Sequence, residues 1–85
     1  MAVVEIYTTA LCGYCHQAKQ LLSFKGVEFS EIRVDNDPAQ MQVMLQRSNG
    51  RRTVPQIFIN GEGIGGFQEL LELEQQGLLD KKLAQ

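Results

Sequence analysis

Tryptophan is missing from this 85-residue sequence, which also contains only two cysteines, one histidine and two prolines. Without a second cysteine pair, the chain lacks the four Cys or His ligands of a structural zinc site. Its formal net charge of −2 gives no reason to expect nucleic acid or an anionic membrane as a partner. No apolar run approaches the roughly 20 residues that a transmembrane helix requires. We therefore expect no metal site of the protein's own, no nucleic acid and no membrane partner.

The first residues, Met1 to Glu5, lack the basic start and the long apolar stretch of a secretory signal. We expect a cytoplasmic protein with a single domain over residues 1–85, since this length supports one small core. The hydrophobic content of 44% is typical of a folded globular chain and argues against disorder. In a reducing compartment, two closely spaced cysteines are more often catalytic or metal-binding than structural.

Both cysteines lie in the segment Leu11-Cys12-Gly13-Tyr14-Cys15-His16. An apolar strand pattern over 3–7 precedes it, and a helical pattern over 14–25 follows it. A C-x-x-C pair at a strand-to-helix junction is typical of thiol–disulfide redox chemistry, because positions i and i+3 share a helix face and their sulfurs can form a disulfide. Cys12 lies at the helix N-terminus, where unpaired N–H groups and the helix dipole favour an anion and lower the thiol pKa. This predicts Cys12 as nucleophile and Cys15, one turn deeper, as resolving thiol.

The rest of the chain alternates strand and helix signals. Strand, helix and strand within about 35 residues predict a βαβ unit with parallel strands. Asn60-Gly61 is a strong hairpin signal and predicts an antiparallel pair near the C-terminal end. The remaining elements are predicted as a strand over 27–34, a helix from N-cap Asp37 to 48–50, strands over 54–59 and 62–64, a helix over 67–76 that turns Leu70, Leu71 and Leu73 inward, and one or two turns over 78–84. The order βαβ-α-ββ-α predicts a thioredoxin-like three-layer α/β/α sandwich with a four-stranded mixed sheet.

Along nearly its whole length the chain resembles small bacterial-type dithiol glutaredoxins. Three separated segments occur in order at the family's spacing: Cys12-x-Tyr14-Cys15, Thr53–Ile59 and Gly65-Gly66. Ile6-Tyr7-Thr8 also matches the family. The missing tryptophan argues against thioredoxin itself, which carries one before its first cysteine. The resemblance implies a glutathione-dependent thiol–disulfide oxidoreductase, monomeric, that reduces glutathionylated proteins and protein disulfides with glutathione as co-substrate.

The resemblance also implies a glutathione site. In proteins of this fold the proline at this place is cis, so the resemblance implies a cis Val54-Pro55 bond that lets an extended substrate pair with the Val54 backbone. One of the two arginines is expected to meet a glutathione carboxylate, and the Gly-Gly pair is expected to offer N–H groups to the γ-glutamyl carboxylate. The residues implied as glutathione-binding are Tyr14, Arg51, Arg52, Thr53, Val54, Pro55, Gly65, Gly66, Phe67 and Gln68.

Three positions depart from the family pattern. Gly13 stands where most dithiol members have proline, and the uncharged segment 9–11 stands where many carry a lysine. After the Gly-Gly pair, Gln68 and Glu69 replace aspartates that hold the γ-glutamyl ammonium. Cys12 must therefore depend more on backbone donors for thiolate stabilisation, and glutathione affinity is expected to be weaker unless Glu69 substitutes.

Two other functions fit the same cysteines. Cys12 from each of two chains, with two glutathione molecules, can ligate a 2Fe–2S cluster in a bridged dimer. The string C-x-x-C-H, completed by His16, is also the attachment signature of c-type haem, with Met41 or Met44 as second axial ligand. Visible absorbance separates the three hypotheses, since the oxidoreductase is colourless.

Overall fold

The computed structural model describes residues 2–85 and contains one four-stranded sheet flanked by helices. The elements are β1 (Val4–Thr8), α1 (Gly13–Phe24), β2 (Ser30–Arg33), α2 (Pro38–Arg47), β3 (Gln56–Ile59), β4 (Glu62–Gly65), α3 (Phe67–Gln75) and α4 (Leu79–Leu83). The strand order is β2-β1-β3-β4, with β1 and β2 parallel and the other two pairs antiparallel. The predicted thioredoxin-like mixed sheet is confirmed.

Alternation along the central strands separates two cores. In β1, Val4 and Ile6 point to one face of the sheet and Tyr7 to the other, as period-two geometry requires. The larger core places α1, α3 and α4 against the first face; its buried members are Val4, Ile6, Ala18, Leu22, Ile57, Ile59, Leu70, Leu79 and Leu83. The smaller core places α2 against the second face; its buried members are Tyr7, Val34, Met44 and Phe58. The three layers put the start of α1 and the start of α3 on one side of the sheet.

Strand β2 is shorter than the sequence pattern predicts. The prediction of a strand over 27–34 is wrong at both ends, because only Ser30–Arg33 pair with β1. Val27 and Phe29 pack against the larger core without joining the sheet, and Val34 is buried just past the strand. The break in alternation between Phe29 and Ile32 marks this change. Strand β3 also begins later than predicted, at Gln56, since Pro55 has no N–H to donate to a ladder.

The helix ends follow local capping chemistry. Asp37 caps α2 as predicted, its carboxylate accepting the Gln40 N–H at 3.2 Å.

In α3, Leu70 is fully buried and Leu73 packs against the larger core, whereas Leu71 is only half-buried. The C-terminal turns form α4, whose Leu79 belongs to the larger core.

Arg47, the last residue of α2, attaches the end of this helix to the sheet. The Arg47 guanidinium donates to both carboxylate oxygens of Glu5, at 2.9 and 3.1 Å, and to the Tyr7 hydroxyl at 2.9 Å. It also lies 4.1 Å from the centroid of the Phe58 ring, within cation–π range. The hydrogen bonds from Arg47 hold the pKa of Glu5 below its usual value, despite the opposing effect of burial.

This lowered pKa gives a prediction about acid stability. Since the folded-state pKa of Glu5 lies below its unfolded value of about 4.3, its contribution is complete above that pH and is lost as pH falls through the folded-state value. We expect Glu5→Gln to melt at a lower temperature than wild type at pH 7, and the difference to shrink as the pH falls through the folded-state pKa of Glu5. Thermal unfolding between pH 7 and pH 2.5 measures it, with Glu72→Gln on an exposed position as control. A gap between Glu5→Gln and wild type that stays constant across this range would contradict the linkage.

Candidate active site

Cys12 occupies the N-cap of α1. Its backbone is extended, with φ −134° and ψ 104°, and its Sγ accepts the Cys15 N–H at 3.0 Å. A disulfide joins the two cysteines, whose Cα atoms are 5.2 Å apart. Cys15 is 1% exposed and Cys12 is half-buried. The geometry therefore gives Cys12 the accessible sulfur and a backbone donor directed at it, as thiolate stabilisation requires.

A cleft of about 290 Å³ opens beside this motif. It lies between the first turn of α1, the segment leading into β3 and the first turn of α3. The lining residues are Tyr14, Arg51, Thr53, Val54, Pro55, Gly66, Phe67, Gln68 and Glu69. The rings of Tyr14 and Phe67, both in the lining, stack on each other with centroids 6.2 Å apart and planes 22° from parallel. Eight of the ten residues that the sequence implied for glutathione thus line one cleft.

The segment before β3 forms the wall nearest the sulfur. The Val54-Pro55 peptide bond is cis, and the Val54 carbonyl oxygen lies 3.7 Å from Cys12 Sγ. Gln56, buried in β3, donates from Nε2 to the carbonyl oxygen and the hydroxyl of Thr53, at 2.9 and 3.1 Å. This buried amide fixes the backbone of the wall from below, so the edge that faces the cleft is preorganised.

Glu69 lines the cleft and makes two contacts that the sequence did not predict. Its Oε1 accepts the Gly66 N–H and lies 3.8 Å from Arg51 Nη2. The expectation that Gly66 offers its N–H to a ligand needs correction, because that N–H is already donated to Glu69. The N–H groups of Phe67 and Gln68, in the first turn of α3, have no acceptor within the helix. The spacing Gly66-x-x-Glu69 is that of a capping box and was the available signal.

Two predicted residues lie outside the cleft lining of the described chain, residues 2–85. Arg52 is exposed, and Gly65 is buried at the end of β4 behind the Arg51–Glu69 pair. Gly65 has φ +110°, and a Cβ there would approach Glu69 Oε1 to 2.7 Å and Arg51 Nη1 to 3.0 Å. Gly65 therefore serves the cleft indirectly, by allowing the pair to pack against the backbone.

The structure separates the residues that were considered as axial ligands of a haem. His16 is exposed on α1, whereas Met44 is buried in the smaller core beneath α2, on the other face of the sheet. Met41 packs against the same smaller core. Among residues 2–85, no group of three or more His, Cys, Asp or Glu side chains is placed to hold a metal ion. Over the same residues, no helix has the length and apolar character needed to cross a membrane.

Comparison with known proteins supplies independent findings. The family profile described as Glutaredoxin matches residues 4–64. Glutaredoxin 3 of Escherichia coli strain K12 is 53% identical over 83 residues, which cover 98% of this chain and 99% of that one. The solution structure of glutaredoxin from Brucella melitensis has a TM-score of 0.84 at 45% identity, covering 100% of this chain and 94% of that one. The crystal structure of a buckwheat glutaredoxin–glutathione complex has a TM-score of 0.87 at 31% identity, covering 98% and 77%.

Proposed function

This chain belongs to the glutaredoxin family and is a glutathione-dependent thiol–disulfide oxidoreductase, and we propose that Cys12 is its nucleophile and Cys15 its resolving thiol. The observation that carries these roles is the difference in accessibility between two sulfurs of one disulfide, Cys15 being 1% exposed. Cys12 also has the helix N-terminus and the Cys15 N–H to stabilise its thiolate. We infer further that the protein is a monomeric single domain that works in the cytoplasm.

Glutathione occupies the cleft beside Cys12 in this proposal. The buckwheat relative in complex with glutathione supports this ligand class. The Val54 backbone pairs with the cysteinyl part of the tripeptide as an added strand, and the first-turn N–H groups of Phe67 and Gln68 receive its γ-glutamyl carboxylate. Arg51 is the arginine that lines the cleft, so it is better placed than Arg52 for the other carboxylate.

The reaction is a pair of thiol–disulfide exchanges. Cys12 thiolate attacks the glutathione sulfur of a glutathionylated protein, forming a Cys12–glutathione disulfide and releasing the protein thiolate. A glutathione thiolate then attacks that disulfide, which yields oxidised glutathione and regenerates Cys12. With a protein disulfide, the Cys12 thiolate attacks one sulfur, which forms a mixed disulfide and releases the other sulfur as a thiolate. The Cys15 thiolate then attacks Cys12 Sγ, which releases the second protein thiolate and closes the Cys12–Cys15 disulfide. Two glutathione molecules later reduce this disulfide and leave as oxidised glutathione.

A coupled assay tests the proposal. Wild-type protein is given a glutathionylated peptide, reduced glutathione, and glutathione reductase with NADPH, and the oxidation of NADPH is followed. We expect turnover that depends on both the protein and glutathione. Turnover equal to the rate without the protein would overturn the assignment.

Gln68 provides a prediction about glutathione affinity. Its side chain lines the cleft but carries no charge, and the Glu69 carboxylate is engaged by Gly66 and Arg51. We expect Gln68→Asp to tighten glutathione binding by about 1 kcal/mol, because a partly exposed charged hydrogen bond to the γ-glutamyl ammonium is gained. The Michaelis constant for glutathione measures the change, and Gln75→Asp at the far end of the same helix is the control for net charge. An unchanged or higher constant in Gln68→Asp would show that this position does not hold the ammonium.

The glutathione-ligated 2Fe–2S dimer remains a prediction for the same thiol. Anaerobic reconstitution with iron, sulfide and glutathione, followed by size exclusion with absorbance detection, separates it from the oxidoreductase. A brown dimer that is lost in Gly13→Pro would establish the second function, and a colourless monomer would remove it.

A further inference from the structure

The loop that delivers Cys12 to its helix has little packing of its own. It runs over Thr9, Ala10 and Leu11, between the end of β1 and the N-cap of α1. Leu11 is 99% exposed and Ala10 is exposed as well, so apolar burial does not fix this backbone. The loop must therefore be held by hydrogen bonds, and the bond made by Ala10 is the one closest to Cys12 on its N-terminal side.

That hydrogen bond comes from the neighbouring strand connection. The Ala10 N–H donates to Asp35 Oδ2 at 3.1 Å. Asp35 is itself oriented by Arg33, whose Nε and Nη2 donate to its two carboxylate oxygens at 2.9 and 2.7 Å. Arg33 is the last residue of β2 and stands opposite Thr8, the last residue of β1. The planar guanidinium of Arg33, at the edge of the sheet, thus orients the Asp35 carboxylate toward the loop.

We propose that Asp35 is a positioning residue for the reaction, which holds the 9–11 loop so that Cys12 enters α1 with its sulfur over the helix N-terminus. Ala10 and Cys12 are two residues apart, so their Cα atoms are at most about 7.6 Å apart and a shift of one is felt by the other. The inference rests on the proposed function, because it needs Cys12 as nucleophile. Asp35 touches neither sulfur and acts only through the Ala10 backbone.

The ionisation of Asp35 is consistent with this role. Hydrogen bonds from Arg33, and next from the Ala10 N–H, lower the pKa of Asp35 to about 2. The carboxylate is therefore fully charged throughout the pH range in which a cysteine thiol titrates. The acceptor of the Ala10–Asp35 hydrogen bond therefore keeps its charge while Cys12 gains and loses its proton.

Two neutral substitutions isolate the hydrogen bond from the charge. Asp35→Asn removes the charge but keeps an oxygen that accepts the Ala10 N–H, whereas Asp35→Ala removes both. In a Cys15→Ser background, so that only Cys12 reacts, we measure kcat/KM on a glutathionylated peptide and the pH dependence of iodoacetamide alkylation. We expect Asp35→Asn to stay within about twofold of its parent and Asp35→Ala to lose about three- to tenfold in kcat/KM, with a higher apparent pKa of Cys12 than in Asp35→Asn.

Asp37→Ala is the matched control for general destabilisation. It removes a carboxylate two residues away that caps α2 and makes no bond to the loop. We expect it to lower the melting temperature while leaving kcat/KM and the alkylation profile unchanged. Equal values for Asp35→Ala and Asp35→Asn, or the same loss in Asp37→Ala, would overturn the proposal. If Asp35→Ala does not fold, hydrogen exchange of the Ala10 amide in the wild-type chain decides, and exchange at the unprotected rate would overturn it.

The wild-type protein and the Asp35 variants answer two separate questions. A wild-type protein that does not turn over glutathione mixed disulfides defeats the function itself. An active wild type with indistinguishable Asp35 variants defeats only the positioning role.

Discussion

Cys12→Ser is expected to lose at least about 10³-fold of wild-type activity on every disulfide substrate, because no other residue of the cleft forms the covalent intermediate. A serine hydroxyl at the N-cap keeps the helix capped, so the fold should survive the change. The glutathione-coupled assay measures the loss, and circular dichroism checks that α1 remains formed. Residual activity within tenfold of wild type would remove Cys12 from the mechanism.

Cys15→Ser is the matched variant and separates the two reactions. The Cys15 sulfur of the wild-type chain is buried, and the proposed mechanism needs it only to displace a protein from Cys12. We expect it to retain most activity on a glutathionylated peptide and to lose the reduction of a protein disulfide. If both cysteine variants lose the glutathionylated substrate equally, the division of roles is wrong.

Leu70→Ala is expected to have the largest effect on stability among substitutions near the cleft. Leu70 is fully buried in the larger core and fixes α3, whose first turn carries Phe67 and Gln68 into the cleft. Truncating a buried leucine costs about 2–5 kcal/mol, which is a large share of the roughly 5–15 kcal/mol that holds a domain folded. We expect the melting temperature to fall by more than about 8 °C.

Leu71→Ala provides the comparison within the same helix. Leu71 is half-buried, so the same truncation removes less packing and leaves a smaller cavity. Thermal unfolding of both variants measures the difference. Equal destabilisation by the two would mean that α3 is not fixed by the larger core through Leu70.

Periodicity and capping residues were sufficient to predict the fold, but they did not predict the limits of β2 or the start of β3. The Asp37 cap, the Asn60-Gly61 hairpin and the alternation in β1 act locally, so the sequence displays them directly. The extent of β2 depends on its pairing with β1, which is a tertiary property. Val27 and Phe29 look like strand residues because they are buried, yet they are buried outside the sheet.

The site was predictable where residues lie close together in sequence or match the family's motifs. The contact between Glu69 and Arg51 was not predicted, because the two residues are brought together only when β4 and α3 fold back on the segment after α2. The Ala10–Asp35 bond was missed for the same reason, since 25 residues separate its two ends. Side-chain contacts across such separations leave no periodic signal.

The two outer strands of the sheet have a consequence for how the protein meets other chains. Strand β2 spans four residues and exposes Glu31 and Arg33, and β4 carries two glycines beside a register irregularity between Ile57 and Phe58 of β3. Short, charged or irregular edges are poor templates for strand-by-strand aggregation. Within residues 2–85, neither edge strand is long and flat enough to pair with an extended segment of another polypeptide, or of a second copy at high concentration.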